Sequence, residues 1–171
     1  ANRIPDFSLL WTVIIYQTTT IRLTGLAACP QHWLSWGDSC YRDYKGPKTW
    51  NDSLKFCREN QADLASLNSA EENQFVFQNV DATKGIWIGL LKDQKLGLFR
   101  WTSEETVGFT NWLEERKKNE PENCGEMVDY SSHRGKWNDK PCSTPLAFIC
   151  EKKGKVQHFS HTTFSRLKTR L

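Results

Sequence analysis

Six cysteines, Cys29, Cys40, Cys57, Cys124, Cys142 and Cys150, constrain this 171-residue chain more than any other feature. None stands in a C-x-x-C pair, so their spacing argues against zinc fingers and thioredoxin-type redox motifs and for structural disulfides. An extracellular or lumenal protein is therefore expected. The length suits one domain with a sizeable core and some terminal excess, not two full domains. Eight Trp and nine Phe make aromatic packing the expected basis of that core.

The net charge of +3 is unevenly spread. Lys152, Lys153, Lys155, Arg166, Lys168 and Arg170 form a basic end without a single carboxylate, which leaves the rest of the chain mildly acidic. A nucleic-acid partner is not expected from that distribution. The basic tail reads as solvated, with contact to anionic membranes or glycans as its other use. The longest apolar run, Phe7–Tyr16, is shorter than the roughly 20 residues a membrane helix needs. It reads as the remnant of a longer membrane segment or as a strand packed on the domain.

Along the chain, residues 1–28 read as a lead-in or stalk. From Cys29 to Trp50 aromatic and polar residues alternate and are broken by Gly37, Gly46 and Pro47, which predicts short strands and a hairpin that Cys29 and Cys40 are near enough to bridge. Thr49 or Asn51 then offers a helix N-cap, and Trp50, Leu54, Cys57, Ala62 and Leu64 recur at helical spacing. Ser69 with Glu72 is a capping-box pattern opening a second helix within Leu67–Val80. Lys84–Leu91 predicts a central buried strand in which Gly89 marks a close backbone approach. Further strands are expected at Leu98–Thr102, Cys124–Tyr130, Gly135–Asn138 and Leu146–Glu151, with a long polar loop from Gly108 to Glu122. Cys150 is expected to reach back to Cys57, closing a loop of about 90 residues worth roughly 4–5 kcal/mol on the chain-entropy model.

Within Glu120–Cys142, the oxygens of Glu120, Glu122, Asn138 and Asp139 form the hard donor set that calcium prefers, and Cys124 and Cys142 could tie the segments together. The same side chains also read as ordinary surface carboxylates beside a turn. No motif places an acid or nucleophile beside His32, His133, His158 or His161, and no Gly-rich phosphate loop is present, so an enzyme is not expected. Asn51-Asp52-Ser53 is the one glycosylation acceptor pattern, with helix capping as its competing use.

In order along the chain stand Cys29-Pro30, Trp33, Cys40-Tyr41, Trp50, Cys57, Trp87-Ile88-Gly89-Leu90, Cys124, Trp137-Asn138-Asp139, Cys142 and Cys150. Over Cys29 to about Lys153 this pattern resembles the C-type lectin-like domain in its long form. The resemblance implies an α+β fold of two helices and two small antiparallel sheets, stapled by Cys29–Cys40, Cys57–Cys150 and Cys124–Cys142, with a long ligand loop at about Gly108 to Asn123. The domain would span residues 29–153, between the lead-in 1–28 and a basic tail 154–171.

In lectins of this family calcium is held by a Glu-Pro-Asn or Gln-Pro-Asp tripeptide, a Glu shortly before a cysteine, and the Asn-Asp of the Trp-Asn-Asp motif. Asn138, Asp139 and Glu122 match. Glu120-Pro121-Glu122 departs from the tripeptide, with Glu where Asn or Asp should stand and a place too close to Cys124. Counted from Trp112, the tripeptide position falls instead near Arg116-Lys117-Lys118. Either alignment loses a ligand. The resemblance thus implies an extracellular module that binds glycan, with calcium as its cofactor through Glu120, Glu122, Asn138 and Asp139. The alternative is a calcium-independent, protein-binding ectodomain resembling the killer-cell lectin-like receptors, which the segment Cys29–Tyr41 and the stalk-like lead-in favour. A third is one module of a larger receptor of the mannose-receptor type. A cell-surface protein ligand, a homodimer and a membrane anchor outside the given chain are compatible with these readings.

Overall fold

The computed structural model describes residues 28–114, 123–130 and 132–155. The Glu120 and Glu122 positions, nearly all of the lead-in and most of the basic tail lie outside the described residues. β1 (Leu34–Trp36) turns through Gly37, at φ 57°, into β2 (Ser39–Lys48), with Trp36 opposite Ser39. Beyond Thr49, α1 runs from Trp50 to Glu59 and is capped by the Thr49 hydroxyl, which accepts from the Asp52 backbone N at 3.2 Å.

The apolar spacing carries a helical pattern on through Ala62 and Leu64, but the chain leaves the helix earlier. Gln61 takes a left-handed φ of 55°, and Asp63–Leu64 becomes a short strand, β3, paired with Glu151 and Cys150. Leu64 is buried either way, which is why periodicity alone could not separate the two outcomes. α2 (Ala70–Asn79) starts where the capping pattern predicts, with the Ser69 hydroxyl accepting from Glu72 N at 3.0 Å. The Glu72 carboxylate reaches one residue past the cap, accepting from Asn68 N at 2.6 Å and from the Tyr41 hydroxyl at 2.5 Å.

β4 (Ile86–Lys92) is the buried central strand, followed by β5 (Phe99–Trp101), β6 (Cys124–Met127), β7 (Trp137–Lys140) and β8 (Leu146–Lys153). Two antiparallel groups form, one of β1, β2, β8 and β3, the other of β5, β4, β6 and β7. A parallel pairing of Ile86 and Trp87 with Ala147 and Phe148 joins them into one mixed sheet. An Ala28–Lys155 bridge ties the entry of the described chain to its exit.

Close approach requires glycine at position 89. A Cβ there would stand 2.7 Å from the Leu64 carbonyl oxygen, and Gly89 N donates to Ala65 O at 2.8 Å. The core is aromatic, and its indoles are satisfied as burial demands. Trp50 Nε1 donates to Ile88 O at 2.9 Å, Trp87 Nε1 to Lys48 O at 3.1 Å, and Trp101 Nε1 to Asn68 Oδ1 at 2.8 Å. Disulfides join Cys29 to Cys40, Cys57 to Cys150 and Cys124 to Cys142. The second spans 93 residues, so it withdraws about 4–5 kcal/mol of chain entropy from the unfolded state on the loop-closure model.

Candidate functional site

The β6–β7 hairpin carries the described part of the site. Its register sets Glu126 opposite Asn138, Gly125 opposite Asp139 and Cys124 opposite Lys140, and the Cys124–Cys142 bond closes its open end. Side chains alternate along a strand. Trp137 and Asp139 are accordingly buried, while Asn138 and Lys140 are half-buried and lie on the face of Glu126.

Trp137 anchors this hairpin to the rest of the domain. Its Nε1 donates to Asn73 Oδ1 of α2 at 2.7 Å, and Trp101, Phe109 and Trp112 meet its ring edge-on at 5.4, 5.5 and 5.8 Å. Its backbone N donates to Asn111 O and its carbonyl accepts from Leu113 N, each at 2.8 Å. The Gly135 carbonyl is held twice, by Asn73 Nδ2 at 3.0 Å and Asn111 Nδ2 at 2.8 Å. The first part of the predicted long loop is therefore laced to β7 through residues 109–113. Gly135, expected within the strand, belongs instead to the turn at φ 72°, and the strand extends to Asp139 and Lys140.

Glu126 is fully buried. Its Oε1 accepts from Asn138 Nδ2 and its Oε2 from Lys140 Nζ, both at 3.0 Å. A buried carboxylate needs such partners, because burying a charge without them costs several kcal/mol. One consequence bears on ligands: the amide nitrogen of Asn138 is committed to Glu126, and the planar amide turns its Oδ1 the other way.

Of the four residues expected to hold calcium, Asn138 and Asp139 are consecutive on β7 with their side chains on opposite faces, whereas Glu120 and Glu122 lie outside the described residues. Sequence reasoning passed over Glu126 and Lys140. The signal was present, since each follows a singled-out residue, Cys124 or Asn138, by two positions, and the Cys124–Cys142 tie places those two runs against each other. Among the described residues no group of three or more His, Cys, Asp or Glu side chains is set to hold a metal ion. The described half of the donor set suits calcium in donor chemistry, an amide oxygen and a carboxylate, both hard, with the Lys140 ammonium neutralised by Glu126, but strand alternation sets the Asp139 carboxylate on the buried face, opposite that of Asn138.

A second surface feature lies at the β4–β5 hairpin. A groove of about 650 Å³ is lined there by Leu91, Leu96, Leu98, Val107, Glu104 and Glu105 among others. Leu96 and Leu98 are each 65% exposed.

The family description Lectin C-type domain matches residues 46–152. A C-type lectin of Micrurus corallinus is 33% identical over 130 residues, covering 71% of this chain and 82% of that protein. The cow C-type carbohydrate-recognition domain of CD23, solved in the presence of a GlcNAc2Man3 oligosaccharide, superposes with a TM-score of 0.65 at 29% identity, covering 75% of this chain and 98% of that one. A calcium-independent type II antifreeze protein superposes with a TM-score of 0.68 at 26% identity, over 74% of this chain and 95% of that one.

Proposed function

The chain belongs to the C-type lectin domain family, and from that membership we propose that it is an extracellular recognition module that binds carbohydrate through the β6–β7 hairpin and the loop before it. The recognition domain would be residues 29–153, with the flanking segments serving as lead-in and basic tail. The observation that carries this reading is the Asn138–Glu126 hydrogen bond at 3.0 Å. It fixes the amide rotamer, so the Asn138 carbonyl oxygen is presented as an acceptor without rearrangement. Asp139 follows it in β7 with its carboxylate on the buried face of the strand, and Trp137 anchors that strand.

Glu120, Glu122, Asn138 and Asp139 are the residues that would hold calcium. When bound, the ion would supply open coordination positions for two sugar hydroxyls. The chain's own part is to accept hydrogen bonds from those hydroxyls at carboxylate and amide oxygens, and to keep the oxygens at fixed spacing. Preorganisation of this kind lowers the entropy cost of binding.

Calorimetric titration of calcium into the folded, chelator-treated protein, followed by a glycan array with and without calcium, tests the reading. Heat of binding and calcium-dependent retention are expected. Absence of both heat and a calcium-dependent thermal shift would sink it. Asn138→Ala with Asp139→Ala should abolish calcium-dependent retention.

The second reading is a calcium-independent, protein-binding ectodomain. Arg116-Lys117-Lys118 at the tripeptide position counted from Trp112 favours it, because cations there repel a metal ion. The exposed Leu96 and Leu98 beside Glu104 and Glu105 offer a protein ligand an apolar, acid-edged groove. Retention of a protein ligand unchanged by chelator would favour this reading over the first.

A further inference from the structure

Asn51-Asp52-Ser53 is a motif that the recognition site does not use. The sequence left it two roles, capping α1 or accepting a glycan, and the structure assigns the cap elsewhere. Thr49 is the capping residue: its hydroxyl accepts from Asp52 N at 3.2 Å and donates to Asp52 Oδ2 at 2.6 Å. Asn51 lies inside the first turn, exposed, with no hydrogen bond to its side chain among the described residues. It opens on a shallow groove of about 510 Å³ along α1, lined also by Leu54, Lys55, Arg58 and Glu59. That groove leaves room for a bulky substituent.

We propose that Asn51 carries an N-linked glycan. In the transfer, Asn51 Nδ2 attacks the anomeric carbon of a lipid-linked oligosaccharyl diphosphate. An N–C bond forms, the C–O bond to the diphosphate breaks, the lipid diphosphate leaves with the electron pair, and the amide loses one proton.

The folded domain would resist this reaction, because Ser53 is fully buried and its hydroxyl donates to Thr49 O at 2.8 Å. The topology supplies the interval in which it proceeds. Trp50 N donates to Cys142 O at 2.9 Å, and Cys57 is bonded to Cys150. α1 therefore cannot take its final seat until residues 142–150 have entered the secretory lumen, so the acceptor triplet lacks its folded-state packing while the intervening chain is made. Once attached, the glycan covers the exposed face of α1 and closes it to protein partners. The inference does not depend on what the β6–β7 hairpin binds.

The test is the full chain secreted from animal cells, treated with peptide N-glycosidase in heavy-oxygen water and digested with trypsin. Peptide 49–55 should carry isotopically labelled Asp in place of Asn51, and the mass lost on enzyme treatment should be absent from Asn51→Gln. An unmodified Asn51 amide throughout the secreted, disulfide-bonded wild-type protein would overturn the proposal, as would an equal mass loss from the variant. The wild-type peptide measurement stands even if the variant is poorly secreted.

Discussion

Replacing Lys140 by Met keeps the aliphatic stem and removes the ammonium that stands 3.0 Å from Glu126 Oε2. Two limits bracket the effect. An exposed ion pair is worth about 0–1 kcal/mol, whereas removing one partner of a buried pair costs about 3–5 kcal/mol. Glu126 is 0% exposed and the Lys140 side chain 27%, which places the pair near the buried limit. Partial exposure of the lysine and the retained Asn138 donor at 3.0 Å bring the expectation to its lower end, about 3 kcal/mol. At about 2–4 °C per kcal/mol for a chain of this size, the midpoint of thermal unfolding should fall by about 6–12 °C. Non-reducing calorimetry, checked by urea titration, measures it. Adding Glu126→Gln to Lys140→Met should restore part of the loss, because the double variant no longer buries the carboxylate's charge. A loss under about 1 kcal/mol for the single variant would refute the reasoning. The hairpin would then be held by its backbone ladder and the Cys124–Cys142 bond without help from the ion pair.

Trp137→Phe strips the donor from Asn73 Oδ1, a buried acceptor, and should cost about 1–3 kcal/mol before packing losses are added, read as a lower urea midpoint. Gly89→Ala drives a methyl toward the Leu64 and Ala65 carbonyl oxygens, which are backbone and cannot swing aside, and should cost about 1–3 kcal/mol in the same assay. Burial chiefly, with Glu105 nearby, raises the Glu151 carboxyl above its ordinary value, against the lowering effects of Ser39, Ser66 and Lys153. A raised folded value means the native state binds the proton more readily, so this stabilisation is complete below the unfolded carboxyl value and is lost as pH rises through the folded one. Glu151→Gln should therefore flatten the fall in stability from acid toward neutral pH, and urea midpoints of variant and wild type that run parallel with pH would contradict this.

The fold was legible wherever local chemistry decides structure. Ser69 and Glu72 announced α2, Gly89 announced a close approach, and the ordered cysteines with Trp87 to Leu90 and Trp137 to Asp139 announced the family. Local chemistry failed at Gln61. Nothing in the apolar spacing of Ala62 and Leu64 separates another helical turn from a two-residue strand, and it is the distant Glu151 and Cys150 of β8 that decide. The Glu126–Lys140 pair was hidden for the same reason. Each residue alone reads as a surface charge, and only cross-strand register turns them into a buried contact.

The same division runs through the site. Among the described residues the hairpin half is braced by the Trp137–Asn73 bond, the doubly held Gly135 carbonyl, the Asn111 and Leu113 backbone ladder and the Cys124–Cys142 bond. Asn138 and Asp139 are thereby braced from α2 and from residues 109–113, and the charge that the sequence puts in 115–122 bears on what their oxygens would bind. Glu120 and Glu122 would complete a hard-oxygen set for a cation, while Arg116, Lys117 and Lys118 would oppose one. Charge changes confined to Arg116–Lys118 should thus alter calcium affinity, read by calorimetric titration, and the unfolding midpoint in chelator reads whether that stretch also supports the hairpin. If Lys117→Glu with Lys118→Asn shifted stability as much as Lys140→Met, the two halves would be coupled, and the hairpin could not be the preformed side of the site.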